Sequence, residues 1–298
     1  MSSPPDEPTR AALTAAHARA AGFLDLRCTG PIAFGTSGTT AGRRADHLWL
    51  RVSRSSRTRA PRPTGQGALG AEQLLPDSVL RPRIHRTVDW IDGEHFYKGD
   101  LADFAGTAIS TTPDLRHDPG LDDTWWHTLK TALADTATAT GTKATPHQAW
   151  IDKNIPQYLG IPAPTGIERV TGHGDLQWAN LTQEPLALLD WERWGLVPIG
   201  YDPAMLWANS LQVPAIADRI RTEFADTFAS SAGRVGELIA LAEMLQAVDR
   251  GYYPGLAPLL ADRARELIGA TAPPTGRHGP GGSRSRRSAS SPSRRQLP

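Results

Sequence analysis

One stretch in the second half of this 298-residue sequence breaks a run of helical patterns: residues 167–194. Ahead of it, Trp125, Trp126, Leu129, Ala132 and Leu133 recur at spacings of three and four, as do Trp150, Ile151, Ile155, Tyr158 and Leu159 up to Gly160. Behind it, residues 203–212, 216–230, 234–250 and 259–268 read as further helices. The double Trp falls on the helical period and belongs to a core. Within the exception, residues 181–182 and 186–189 read as the strands of a hairpin turned at Gln183-Glu184-Pro185. Asn180 stands where the chain enters the first strand and Asp190 where it leaves the second, so a hairpin draws them together.

The first hundred residues follow a different pattern. Residues 6–21 form an Ala-rich helix around Leu13, stopped at Gly22. Residues 30–54 read as two strands joined by a Gly/Thr loop over 35–42, and residues 55–70 as a polar linker. Strand patterns return at 84–90 and 95–98, the latter leading into 99–104. The whole describes an α+β chain: a β-rich lobe over 1–104, a mainly helical lobe over 105–271, and a Gly/Ser/Arg/Pro-rich tail over 272–298 whose composition reads as disorder.

Composition narrows the function classes. No apolar run reaches bilayer length, and the first residues lack the basic-then-apolar order of a signal peptide, so a cytoplasmic protein is expected. The single cysteine, Cys28, excludes an internal disulfide and reads as a small hydrophobe. The tail carries six arginines and no acid; without them the formal net charge of +1 becomes −5. A body of that sign is a poor nucleic-acid binder.

The chemistry concentrates in His173-Gly-Asp175-Leu-Gln-Trp-Ala-Asn180 and Leu189-Asp190-Trp-Glu192. Asp175, Asn180 and Asp190 are hard oxygen side chains with no softer ligand between them, a set suited to Mg²⁺. Phosphoryl transfer uses such a set, with metal ions offsetting charge on the phosphate oxygens and a further carboxylate orienting the attacking hydroxyl.

These residues resemble the signature of the aminoglycoside phosphotransferase and choline kinase family. More distantly they resemble the protein-kinase catalytic loop, in which four residues also separate Asp from Asn. The resemblance implies a two-lobed protein-kinase-like fold with a catalytic β-hairpin, and ATP and Mg²⁺ as cofactors. It makes Asp175 the catalytic base, Asn180 and Asp190 the metal ligands, His173 a packing residue and Asp202 the brace of the loop. Arg51 stands where that fold places a phosphate-holding Lys, with Glu72 as its expected acid partner and Lys98 as a rival. Backbone groups at Gly35 and Gly38 would cover phosphates, and adenine would lie near 101–104, beside Asp103. The partner is then a small-molecule hydroxyl acceptor, which the acidic body would favour as a cation. A nucleotide-binding pseudokinase, a regulator or scaffold, is the alternative that Arg51 leaves open.

Overall fold

The chain is described here by a computed structural model covering residues 5–35, 38–58 and 67–269. The basic tail, half of the expected linker and the tip of the Gly/Thr loop lie outside these residues. Asp6 caps the first helix, α1 (Glu7–Phe23), by accepting from Thr9 N at 2.9 Å. Its buried stripe of Leu13, Ala16, His17, Ala20 and Ala21 lies against a sheet. That sheet is built from β1 (Thr29–Phe34), β2 (Thr40–Ala45), β3 (Leu48–Ser56), β4 (Ile84–Asp92) and β5 (His95–Asp103), ordered β1-β2-β3-β5-β4 and antiparallel throughout.

Strand alternation gives the sheet two different faces. Ala45, Leu50, Val52, Tyr97 and Leu101 form an apolar cluster with Ala16, Ala20, Ala21 and Leu24 of the α1 region. Cys28 packs at the edge of this cluster, and burial pushes its thiol up. Trp49, Arg51 and Ser53 point the other way. In register they stand beside Ala102, Asp100 and Lys98 of β5, so this face carries the charges.

Helix α2 (Gly67–Leu74) follows β3 in sequence yet joins the other core. Ala71, Leu75 and Val79 pack with Trp191, Trp194 and the helices of the second lobe, and Trp194 Nε1 donates to Gly67 O at 2.9 Å. The remaining elements are α3 (Asp123–Ala137), α4 (Gln148–Leu159), β6 (Arg169–Gly172), β7 (Gly195–Pro198), α5 (Tyr201–Ala208), α6 (Pro214–Glu223), α7 (Ala225–Ala229), α8 (Ser231–Asp249) and α9 (Ala257–Ile268). Trp125 and Trp126 are buried as expected, their ring centres 6.1 and 6.3 Å from that of Trp178.

Three sequence expectations change. The Gly/Thr loop is shorter, because residues 40–45 form β2 between the two expected strands. β5 runs on to Asp103 instead of stopping at Lys98. The catalytic hairpin contracts to a single bridge between Leu181 and Leu188. Gln177 accepts from Ala179 N at 2.6 Å and holds residues 178–180 in a 3-10 turn, which leaves little extended chain to pair. The regular pair here is β6 with β7, which brackets the loop.

Candidate active site

The loop leaving β6 is held from beneath. Buried Asp202, in the first turn of α5, accepts from His173 N at 2.7 Å and Gly174 N at 2.9 Å. His173 is itself fully buried. Its Nε2 donates to Leu189 O at 2.8 Å, its Nδ1 accepts from Asp175 N at 3.3 Å, and its ring lies 4.7 Å from that of Trp191. His173 therefore ties the Asp175 loop to the segment carrying Asp190, and Asp202 braces it. Gly174 has φ +76°, and a Cβ there would meet Arg193 O at 2.4 Å, so glycine alone fits the turn.

Asp175 emerges from this loop with a partly exposed side chain. Burial pushes its carboxyl up, against the pull of Arg193 and His173, and the neighbouring Asp190 adds to the rise. Asn180 Nδ2 donates to Asp175 O at 2.9 Å and approaches Oδ2 at 3.4 Å, while Asn180 O accepts from Leu189 N at 2.8 Å. The three expected residues Asp175, Asn180 and Asp190 are thus one connected cluster. Asp190 has φ +59° and turns its carboxylate into the cleft.

From the opposite lobe, Arg51 Nη1 reaches Asp190 Oδ1 at 3.0 Å and Glu192 Oε1 at 3.8 Å. Burial opposes the guanidinium charge, and Asp190, Glu192 and Asp100 more than restore it. Lys98 is paired within its own strand to Asp100 at 2.7 Å, which leaves Arg51 as the cation reaching across.

Glu72 is not the partner of Arg51. It accepts from Arg83 Nε at 2.7 Å and from Ile84 N at 3.2 Å, with Arg81 at 3.8 Å. The docking of α2 on the second core aims Glu72 at the chain entering β4, away from Arg51. Asp103 is likewise spent on β4, accepting from Arg83 N at 3.0 Å and His85 Nε2 at 2.6 Å. Burial raises its carboxyl, but these bonds hold it below the usual range. Gly35 N donates to Thr40 O and Gly38 N to Gly35 O, each at 3.0 Å, so both amides close the turn instead of facing the cleft.

Other residues enter the site without a sequence signal. Arg193 Nη1 lies 3.9 Å from Asp175 Oδ1 and pairs with Glu243 of α8, which also accepts from Tyr201 OH. Tyr253, at φ +51°, has its phenol pushed up, first by burial and then by the charges of Asp114 and Asp175. Among the described residues, no group of three or more His, Cys, Asp or Glu is gathered to hold a metal. The hard-oxygen pair of Asn180 and Asp190 suits an ion that fills its other positions with water or phosphate. A cavity of about 340 Å³ lies behind the loop, lined among others by Lys130, Thr171, Asp202, Glu223 and Thr227. Its lining includes Asp202 and Gly172 but none of Asp175, Asn180 and Asp190.

No protein-family model and no curated protein matches the sequence. Solved structures do match. The aminoglycoside phosphotransferase APH(4)-Ia superposes with a TM-score of 0.51 at 13% identity, covering 82% of this chain and 93% of its own. The choline kinase LicA from Streptococcus pneumoniae gives 0.51 at 14%, covering 83% and 96%. A choline/ethanolamine kinase family protein from Mesorhizobium loti gives 0.50 at 15%, covering 86% and 95%. A thermostable mutant of APH(4)-Ia matches equally well as a ternary complex with AMP-PNP and hygromycin B. Identities this low speak for architecture: the chain has the two-lobed, kinase-like fold that aminoglycoside phosphotransferases and choline kinases share.

Proposed function

We propose that the chain transfers the γ-phosphoryl group of ATP to a hydroxyl of a small molecule. The observation that carries this reading is the convergence of Asp175, Asn180 and Asp190 with a cation, Arg51, supplied by the opposite lobe. The nucleotide-bound and hygromycin-bound state of the APH(4)-Ia mutant supports the same reading by analogy of fold. Asp175 orients the acceptor hydroxyl and receives its proton; its raised carboxyl is the better base for that task. Arg193, held by Glu243 and Tyr201, fixes the place of that carboxylate. Arg51 exchanges its carboxylate partner for phosphate oxygens when nucleotide enters.

Asn180 and Asp190 would hold Mg²⁺. Asn180 spends its Nδ2 on Asp175 and keeps its amide oxygen for a cation, and the Asp190 carboxylate is partly exposed in the cleft. Bound there, the ion offsets the charge of the phosphate oxygens. The acidic body, formally −5 without the arginines of the tail, favours an acceptor that carries amines.

Two measurements test the reading. Calorimetry should show ATP binding with Mg²⁺ and at least about tenfold weaker binding in EDTA. Asp175→Asn should abolish transfer in a screen of hydroxylated amines while ATP affinity stays within about threefold. Equal ATP affinity in EDTA removes the metal assignment, and turnover surviving in Asp175→Asn removes the base.

A further inference from the structure

The cavity of about 340 Å³ is walled by α3, β6, β7, the start of α5 and the junction of α6 with α7. That volume falls at the small end of the range for ligand sites, which are mostly apolar hollows with a few polar groups. Leu133, Val170 and Phe224 line it and are only half-buried against the second core. Ile199 lines it too, half-buried, and joins neither apolar core. Apolar side chains with incomplete packing around one hollow form a wall that an apolar guest completes.

The charges on this wall are unbalanced. Lys130, Asp202, Glu223 and Asp226 all belong to it. Glu223 is matched, with Lys130 Nζ at 3.1 Å and Arg219 Nη2 at 2.7 Å. Asp226, exposed in the first turn of α7, makes no hydrogen bond or ion pair among the described residues. Asp202 has the amides of His173 and Gly174 as partners and no paired cationic side chain. Burial pushes its carboxyl up, against the pull of His173 and those amides. Gly172 is also in the wall, and a Cβ there would lie 2.5 Å from Asp202 Oδ2, so the carboxylate sits directly against that residue.

We infer that this cavity is a second small-molecule site, which takes an amine on an apolar skeleton and, through Asp202, steadies the Asp175 loop. The ammonium supplies the counter-charge that Asp202 and Asp226 lack, and the skeleton covers Ile199 and Phe224. Asp202 holds the amides of His173 and Gly174, so a guest that fixes Asp202 slows their local opening. None of Arg51, Asp175, Asn180 and Asp190 lines the cavity, so the site stands whether or not the phosphotransferase reading holds.

Three probes with one ring system test it on the full chain: tryptamine, a cation; tryptophol, neutral; and indole-3-acetate, an anion. Ligand-observed NMR titration should give tryptamine a Kd on the order of 1 mM or tighter. Tryptophol should bind at least about threefold more weakly, and indole-3-acetate at least about tenfold. Asp226→Asn should cut the preference for tryptamine over tryptophol at least about twofold. Ala134→Trp fills the hollow from the exposed side of α3 and should weaken tryptamine about tenfold or more, whereas Asp175→Asn should leave it within about twofold. Circular dichroism melts confirm that the variants are folded. At saturating tryptamine, hydrogen exchange at His173 and Gly174 should slow at least about threefold while the β3–β5 pair is unchanged. No tryptamine binding at about 10 mM overturns the site, as does full binding by folded Ala134→Trp. Loss of binding in Asp175→Asn also overturns it, since the probe then occupies the cleft. Equal affinity for the three probes overturns the charge selection, and an unchanged preference in Asp226→Asn removes that residue from the site. Unchanged exchange at His173 and Gly174 overturns the coupling to the loop.

Discussion

Glu237 of α8 should be among the costliest single residues to neutralise. Its side chain is 1% exposed, and it accepts from Arg221 of α6 and from Arg263 of α9 at 2.8 and 3.3 Å. The Arg221 guanidinium in turn lies 4.0 Å from the ring centre of Trp207 and 4.1 Å from that of Phe228. One carboxylate thus pins three helices together. Glu237→Gln keeps the shape but leaves two guanidiniums facing each other, with only the exposed Glu266, 3.0 Å from Arg263 Nη1, as a counter-charge. Breaking a buried ion pair by removing one partner costs about 3–5 kcal/mol. Both arginines are roughly a quarter exposed, so water relieves part of this, and about 2–4 kcal/mol is expected. With a urea slope of about 3 kcal/mol per molar, the unfolding midpoint should fall by about 1 M at pH 7. Burial works to raise the Glu237 carboxyl, yet the Arg221 and Arg263 bonds hold it below its ordinary 4.5. Its contribution is then complete above that value and disappears as pH falls through the lower folded value. The gap between wild type and variant should close below about pH 4. A midpoint shift under about 0.2 M, or a gap unchanged from pH 7 to about 3, would refute the argument.

Arg51→Ala should weaken ATP by about tenfold while changing AMP by less than about twofold, because the lost charge faces the terminal phosphates. Competition binding of the two nucleotides measures it, and equal losses would move Arg51 out of the phosphate site. Glu72→Gln should lower the melting temperature by freeing Arg83, yet its effect on ATP affinity should add to that of Arg51→Ala within about 0.5 kcal/mol. Coupling well beyond that in a double-mutant cycle would mean that the two residues do meet.

The part of the site visible in the sequence is the part that is local. His173, Asp175, Asn180 and Asp190 fall within eighteen positions, with Asp202 twelve further on, so fixed spacing alone carries them. Arg193, just before β7, and Glu243 are fifty positions apart and meet only because α8 packs against both α5 and β7. No periodicity states which glutamate a helix will present to a distant arginine. Glu72 went to the wrong partner for a related reason. Helical spacing shows that residues 67–74 have an apolar face, but not which of two cores receives it. β2 was hidden because Thr40-Ala-Gly-Arg-Arg-Ala45 has little apolar alternation, and pairing on both sides imposes its extended form.

Sequence order and physical membership part company at α2. A gene fragment ending at residue 104, the natural cut by pattern, would carry Ala71, Leu75 and Val79 without the wall they rest on. The complementary fragment would present Trp191 and Trp194 with their cover removed. Neither half is a transplantable module, and swapping first lobes between chains of this fold would require α2 to travel with the helical half.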